Sequence, residues 1–508
     1  MTVVTEVMVL AALAGVAVLL VRFLSSYQHF RKLELAIPGR PTLPLLGNAL
    51  DFATATPDTV LQTVLWAVDG RRQLTRASIF NNLLVAIQDP VEIEEVVRRK
   101  EFNDKSYFIY NHIRSIIGER GLIQLGGPEW KAHRRWLQPG FNQNVLDRFV
   151  SVFSEEARGF VDRVEDTEKA VCVQENLRRT VMRDFIRTSM TAEGSQFDDE
   201  LMDVVEFVEA AVRTINSRSF NPILWSDRVF ALTPLGRKLA SLKGSLDSLS
   251  KRMITAKREQ LADNKEFEYE RARKTLMDIM LGTEDGDKRH HVEEAAVIEE
   301  FKTFLGANVE TTVSGLSWML KVLSMQPEVQ DRLHAELVSV FGDSDRDVTP
   351  EDLLELKYLD RVIKEVMRMF PPIPITARQC YEETKLCGHT IPAGTTIALN
   401  IFSAHRDPMH WDKPEVFDPD RFLPERSKGR HPCAYIPFST GARNCIGGKY
   451  ALMNMASFLA TTLRAFRLLP VDDHKDLESL AKNMTFDLSS HLVGGTRVRF
   501  QRRGALGA

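Results

Sequence analysis

The sequence is poor in the residues that staple small proteins together. Its 508 residues include five cysteines, Cys172, Cys380, Cys387, Cys433 and Cys445, odd in number, widely spaced and with no Cys-x-x-Cys pair. That excludes a disulfide framework and a zinc ribbon, and points to folding in a reducing compartment. No charge of one sign prevails: 66 Lys and Arg face 69 Asp and Glu, a formal charge of −3. Nucleic acid is therefore not expected as a partner. With 44% hydrophobic and 27% charged residues, the chain is not disordered, collagen-like or a multi-span transporter. It also lacks internal repeats and long low-complexity stretches. Length alone would allow about three domains, yet no second linker divides the body.

What it does have begins at the N-terminus. From Val7 to Val21 every residue is apolar or Gly. Those 15 residues cover about 22 Å as a helix, short of a ~30 Å hydrocarbon core, but residues 1–24 together reach spanning length. A cleaved signal peptide would want a basic start; here the first charge is Glu6, and the cations Arg22, Arg31 and Lys32 follow the run. The positive-inside rule then leaves the bulk of the chain in the cytosol. Residues 1–24 read as a transmembrane signal-anchor. Residues 25–48, with Ile37-Pro38-Gly39-Arg40-Pro41 and Pro44-Leu45-Leu46-Gly47-Asn48, read as a basic, proline-rich hinge. Residues 49–508 read as one folded domain.

Helical periodicity dominates that domain. It runs from Leu146 to Val164, Glu200 to Ile215, Arg237 to Ala262, His291 to Met325, Pro327 to Phe341, Tyr358 to Phe370 and Gly447 to Phe466. The segment from His291 is long enough to cross a whole domain, and Pro327 stops it. Strand signals are short: Leu83 to Gln88, Thr395 to Leu399 and Arg497 to Gln501. Glu284 to His291 is charged and Gly-containing, a surface loop. The fold class is mainly α (α+β), helix-rich with small marginal sheets.

The chemistry centres on Cys445. It sits in Phe438-Ser439-Thr440-Gly441-Ala442-Arg443-Asn444-Cys445-Ile446-Gly447, a Gly-bracketed loop directly before a helix. Backbone N–H groups and the positive end of the helix dipole there are expected to lower the thiol pKa, giving a sulfur fit to ligate a soft or borderline metal. A lone Cys is more often a small buried hydrophobe; the pattern Phe-x-x-Gly-x-Arg-x-Cys-x-Gly changes that weighting. It resembles the haem-binding loop of the cytochrome P-450 superfamily.

The resemblance implies the P-450 fold, with a long central helix over haem b (iron protoporphyrin IX) and a catalytic domain over residues 49–508. Cys445 would be the proximal thiolate on iron, with Phe438 limiting its solvation, Gly441 and Gly447 permitting the tight backbone path, and Arg443 pairing with a haem propionate. Trp130 and Arg134 resemble the family's Trp-x-x-x-Arg helix, and Arg378, after Pro371-Pro372-Ile373-Pro374, a further propionate ligand. Glu365 and Arg368, three apart on one helix face, resemble the Glu-x-x-Arg pair. Arg421 in Phe-Asp-Pro-Asp-Arg-Phe would complete a structural triad, with Asp420 where Glu is more usual.

Ala307-Asn308-Val309-Glu310-Thr311-Thr312 resembles the family's (Ala/Gly)-Gly-x-(Asp/Glu)-Thr-Thr, with Asn308 in place of Gly. A Thr311 hydroxyl bonded to the Ala307 carbonyl would loosen the helix, making room for O₂ and water. Glu310 would relay protons and Thr311 hydrogen-bond the oxygen being activated. Ala434-Tyr435-Ile436-Pro437-Phe438-Ser439, Lys449-Tyr450-Ala451-Leu452 and Asn103-Asp104-Lys105-Ser106 look most like microsomal family-4 members, insect ones among them. Many of those carry a Glu that esterifies the haem; Ala307 at that position implies non-covalent haem apart from the thiolate bond.

Substrate contacts are expected from the loop before Trp130, with Tyr107, Phe108, Ile109, Tyr110, Ile116 and Ile117, and from Phe304, Ala307, Thr311, Ile373, Ile375 and Thr376. These are chiefly apolar, so a lipophilic substrate is favoured. Lys131, Arg135, Arg430 and Lys449 are candidate docking cations for an acidic reductase. The resemblance thus implies a membrane-anchored monooxygenase of the endoplasmic reticulum, facing the cytosol. NADPH electrons would come through a reductase, with cytochrome b5 as a second donor, and one atom of O₂ would enter a lipophilic small molecule (a fatty acid, terpenoid or steroid-like hormone, or xenobiotic). An oxygen-independent isomerase or dehydratase and a non-catalytic haem binder are the alternatives. The Glu310–Thr311 pair argues against the first.

Overall fold

The computed structural model describes residues 2–67, 74–164, 169–190, 201–219, 221–263, 275–281, 293–471 and 474–504; the expected loop from Glu284 to His291 lies outside them. Among the described residues the main helices are α1 (Thr2–Ala36), α2 (Tyr107–Ile117), α3 (Gly127–Leu137), α4 (Phe149–Arg163), α5 (Val173–Met190), α6 (Leu201–Ser219), α7 (Pro234–Asp263), α8 (Glu294–Ser324), α9 (Pro327–Phe341), α10 (Lys357–Met369) and α11 (Gly448–Ala465). Each stretch of helical periodicity in the sequence is a helix here, with ends shifted by a few residues.

Helix α8 is the spine. Its 31 residues span about 46 Å. Val309, Val313, Leu316, Met319, Leu320 and Leu323 are all buried. A helix apolar on every face belongs inside, and α5, α10 and α11 pack against it. Pro327, in the first turn of α9, has no N–H to continue the α8 ladder.

One four-stranded sheet flanks the bundle: β1 (Thr75–Ile79), β2 (Asn82–Ile87), β3 (Ile375–Gln379) and β4 (Thr396–Asn400), in the order β1-β2-β4-β3. Strands β2 and β4 run parallel and the other pairs antiparallel. An isolated antiparallel bridge joins Lys105 to Arg378 on β3, fixing the segment before α2 to the sheet edge. The remaining sheets are smaller and include Arg497–Arg502 between Val171–Cys172 and Phe466–Leu469.

Two elements depart from the sequence reading. The first half of the expected hinge is helix, because α1 runs unbroken to Ala36, just before Pro38. Its last turns dock on the body. Glu34 is buried and accepts from Arg31 Nη1 at 2.6 Å and Ser78 Oγ at 2.9 Å, while Tyr27 OH accepts from Leu45 N at 3.0 Å. The segment before Trp130 is also helical rather than a loop. Ser106 Oγ caps α2 by accepting from Ile109 N at 3.4 Å, and Gly118, at φ +105°, ends it.

Candidate active site

The Cys445 loop is folded by its own backbone. Cys445 N donates to the Phe438 carbonyl at 2.9 Å. Gly441 stands at φ +74°, and a Cβ there would lie 2.9 Å from Val97 Cβ and O, so only Gly fits. Gly447 is different: its φ is −88°, and a Cβ would make ordinary contact at 3.8 Å with Phe141. Its contribution is the N–H, which bonds the Cys445 sulfur. The expected lowering of the thiol pKa is corrected here. Burial pushes the thiol up, and the Gly447 N–H with the Arg134 and Lys105 charges offsets only part of that.

Cys445 lies on the wall of a cavity of about 500 Å³, the only one of the five cysteines to do so. Trp130, Arg134, Phe438, Arg443 and Gly447 line the same cavity. Among them are cations with neutral partners. Arg134 donates to Asn444 O at 2.9 Å and Asn444 Oδ1 at 3.0 Å. Arg443 donates to Leu125 O at 2.9 Å and Ile123 O at 3.2 Å, with its guanidinium 4.7 Å from the Trp130 ring centre; burial lowers it to about 10. Arg378 is corrected in position: it stands behind the wall, 2% exposed, and its Nη2 donates to Ser439 Oγ at 3.3 Å. Lys105, on the wall, completes the group.

No carboxylate among the described residues forms an ion pair with any of these four cations. Arg378 and Arg443 are buried and Lys105 and Arg134 half-buried; buried cations without counter-ions are costly, so the site calls for an anionic occupant. The rest of the wall is mainly apolar, and a Cβ on Gly306 would meet nothing within 4 Å. A flat apolar group with carboxylates on one edge and a metal for a thiolate fits these residues. Haem is such a group.

Behind the loop, the triad is assembled. Arg368 grips Glu365 with two bonds, Nε to Oε2 at 2.7 Å and Nη2 to Oε1 at 2.9 Å, and Arg421 Nε adds a third at 3.0 Å. All three residues are buried. Asp420 turns outward to Arg332 and Arg361. The sequence reading missed the link onward to Cys445. His405 Nδ1 donates to Arg368 O at 3.2 Å, and its Nε2 accepts from Ile436 N at 2.8 Å. Burial and the Arg368 charge lower His405 to about 3, so it is the neutral acceptor this role requires.

On α8, Thr311 Oγ1 donates to Ala307 O at 2.6 Å, yet the helix continues unbroken. Phe304, Ala307, Asn308 and Thr311 line the cavity, and Glu310 does not. Instead Arg178 Nε, on α5, donates to Glu310 Oε1 at 3.1 Å. Burial raises the Glu310 pKa against the pull of Arg178. Nothing in the sequence pairs residues 132 apart, so Arg178 had no signal.

Of the expected substrate contacts, Phe108, Ile116, Ile373 and Ile375 line the cavity. Tyr107 does not. It is the first residue of α2, 57% exposed, with Arg114 over its ring two turns along the same helix face. Arg430 is likewise withdrawn from the docking set, because it stacks on Trp411 at 4.1 Å and donates to Arg421 O at 2.9 Å. Lys131, Arg135 and Lys449 are exposed.

Comparison with known proteins agrees with this geometry. A family model described as Cytochrome P450 matches residues 37–491. Among similar proteins, "Cytochrome P450 4V2" of Rattus norvegicus is 32% identical over 97% of this chain and 95% of its own length. "Probable cytochrome P450 4aa1" of Drosophila melanogaster is 29% identical over 94% and 92%. Among solved structures, a cytochrome P450DA heme domain superposes with a TM-score of 0.76 at 25% identity, over 92% of this chain and 98% of that one. Retinoic acid bound cyanobacterial CYP120A1 shares the fold with a TM-score of 0.75 at 21% identity, over 92% and 99%. The chain belongs to the cytochrome P450 family, with family-4 enzymes of insects and mammals among its relatives, and is a haem-thiolate monooxygenase.

Proposed function

We propose that this enzyme takes two electrons from NADPH through a membrane-bound reductase and inserts one oxygen atom into a lipophilic small molecule at the endoplasmic reticulum. The observation that carries this reading is the shared cavity: one wall holds the Cys445 sulfur and cations with neutral partners, and the rest is mainly apolar. Helix α1 supports the membrane location, because it is long enough to cross a bilayer and holds an 18-residue stretch with a mean hydropathy of 2.6. Bound haem b supplies the iron that activates O₂, with the Cys445 thiolate raising its electron density. The chain does the rest. Phe438 keeps water from the sulfur, and the Gly447 N–H steadies its charge. Apolar walls seat the substrate against the reacting centre.

Proton delivery falls to α8. Thr311 Oγ1 turns from the Ala307 carbonyl to hold a proton at the reacting oxygen, and Glu310 resupplies it after parting from Arg178. A carboxyl raised by burial binds the proton readily, as a relay needs. Thr311→Val should therefore lower product formed per NADPH consumed by about tenfold or more, with haem content unchanged. Unchanged coupling would remove Thr311 from the relay. Lys131, Arg135 and Lys449 are the proposed reductase contacts; cytochrome b5 is a second donor to the same face. Reversing Lys131 and Arg135 to Glu should weaken reductase binding by about tenfold at low salt and by less at high salt. The reading as a whole is tested by reconstitution with reductase and ¹⁸O₂ against lipid and xenobiotic panels. One labelled oxygen per product is expected, and turnover without label would favour the oxygen-independent alternative.

A further inference from the structure

Lys105 has a place in the cavity wall and no role in the account so far. Its Nζ donates to Thr376 Oγ1 at 2.9 Å and to Tyr110 OH at 3.2 Å, and Tyr110 OH lies 3.1 Å from Thr376 Oγ1. The three polar atoms close a triangle, and all three residues line the cavity. An ammonium has three donors, and the protein takes two of them, both with uncharged oxygens. The bridge to Arg378 holds the Lys105 backbone at the sheet edge, and the bonds to Thr376 and Tyr110 hold the ammonium at the cavity wall. Burial, with Arg378 and Arg443 nearby, lowers Lys105 to about 8. Tyr110, which burial alone would raise, is brought down to about 8 by the Lys105 charge, its bond with Thr376 and Arg378. Positive charge gathers here, and no carboxylate among the described residues forms an ion pair with Lys105.

Charge balance points the same way, and rests on the haem reading above. A ferric iron is offset by the porphyrin dianion and the Cys445 thiolate, so bound haem adds the two propionate charges, fewer than the four cations Arg134, Arg378, Arg443 and Lys105. Cations thus outnumber the propionates, and Lys105 keeps one ammonium N–H without a protein acceptor among the described residues. We propose that the Lys105–Tyr110–Thr376 triangle is a carboxylate-binding site, in which the third ammonium N–H and the two hydroxyls converge on one carboxylate presented from the cavity. Charge-assisted donors converging from a fixed frame give such a site its strength. Two carboxylates carry this chemistry: a haem propionate, and the head of an acidic substrate.

The test uses the full-length holoenzyme and three variants, Lys105→Met, Lys105→Arg and Tyr110→Phe. One arm follows haem transfer to excess apomyoglobin. The other follows the haem absorption shift on adding dodecanoic acid or its methyl ester. If the carboxylate is a propionate, Lys105→Met should lose haem at least about fivefold faster, Tyr110→Phe should lie between it and wild type, and Lys105→Arg should restore retention. If it belongs to the substrate, haem retention stays constant while a preference for acid over ester, about tenfold in the wild type, collapses in Lys105→Met. Thermal unfolding of each variant identifies a misfolded one, and Tyr110→Phe, which keeps the ring, then carries the test. A wild type that binds no haem overturns the haem reading. A haem-loaded wild type with variants matching it in both arms overturns this proposal alone.

Discussion

Replacing Glu365 with Ala should destabilise the folded domain by about 3–5 kcal/mol. Glu365 is the one anion between two buried guanidiniums, and its oxygens accept from Arg368 twice, from Arg421 and from Asp418 N. Without it, two charges stay buried with carbonyl partners only and no counter-ion. The damage should reach Cys445, because Arg368 continues through His405 to Ile436, two residues before Phe438. Urea unfolding and haem content of Glu365→Ala and Glu365→Gln measure this. Both should lose haem, Gln less than Ala, since Gln keeps an acceptor oxygen but not the charge. A loss under about 1 kcal/mol with full haem occupancy would mean that the cluster behaves as a solvated surface pair.

Replacing Cys445 with Ala should take monooxygenase turnover to the uncatalysed background while the protein remains folded. The loop does not depend on the sulfur for its shape. The Cys445 N to Phe438 O bond and the Gly441 turn belong to the backbone, and removing a thiol next to a cavity opens little new void. The ligand, however, has no substitute. Cys380 and Cys433 are buried elsewhere, Cys387 sits beside Glu92 and Glu95, which help push its thiol beyond ordinary titration, and Cys172 is exposed. Ala at each of those four positions should leave turnover within about twofold of wild type. Turnover surviving in Cys445→Ala would end the thiolate assignment.

What was legible in the sequence was local. The Cys445 loop, the long apolar helix with its Thr311, and the Glu365–Arg368 spacing are short-range patterns whose geometry follows from the backbone. The extent of helix α1 was half legible. The apolar stretch ends at Leu24, but helix continues until Pro38 forbids it, and the reason it docks is a buried Glu34 whose partners Ser78 and Arg76 come from β1. Tyr107 and Phe108 looked alike as loop residues; once α2 forms, a 100° rotation sends one outward and the other to the cavity. Gly447 fitted a motif that implied backbone strain, whereas its φ shows none and its N–H bonds the Cys445 sulfur. The Arg178–Glu310 and Lys105–Tyr110–Thr376 contacts join distant segments across the interior. No pattern in one chain announces them. Lys105 was in plain view within Asn103-Asp104-Lys105-Ser106, but only the absence of a counter-ion around it in the folded protein makes it informative.

The central claim is that the Cys445 thiolate holds haem iron in this cavity. The measurement that tests it most directly is the carbon monoxide difference spectrum of the dithionite-reduced full-length protein in detergent, beside Cys445→Ala. The account predicts the strongly red-shifted Soret band of a thiolate-ligated carbonyl complex in the wild type and its loss in the variant. A folded wild type that takes up haem but shows the shorter-wavelength band of a neutral or nitrogen ligand, unchanged in Cys445→Ala, would contradict it.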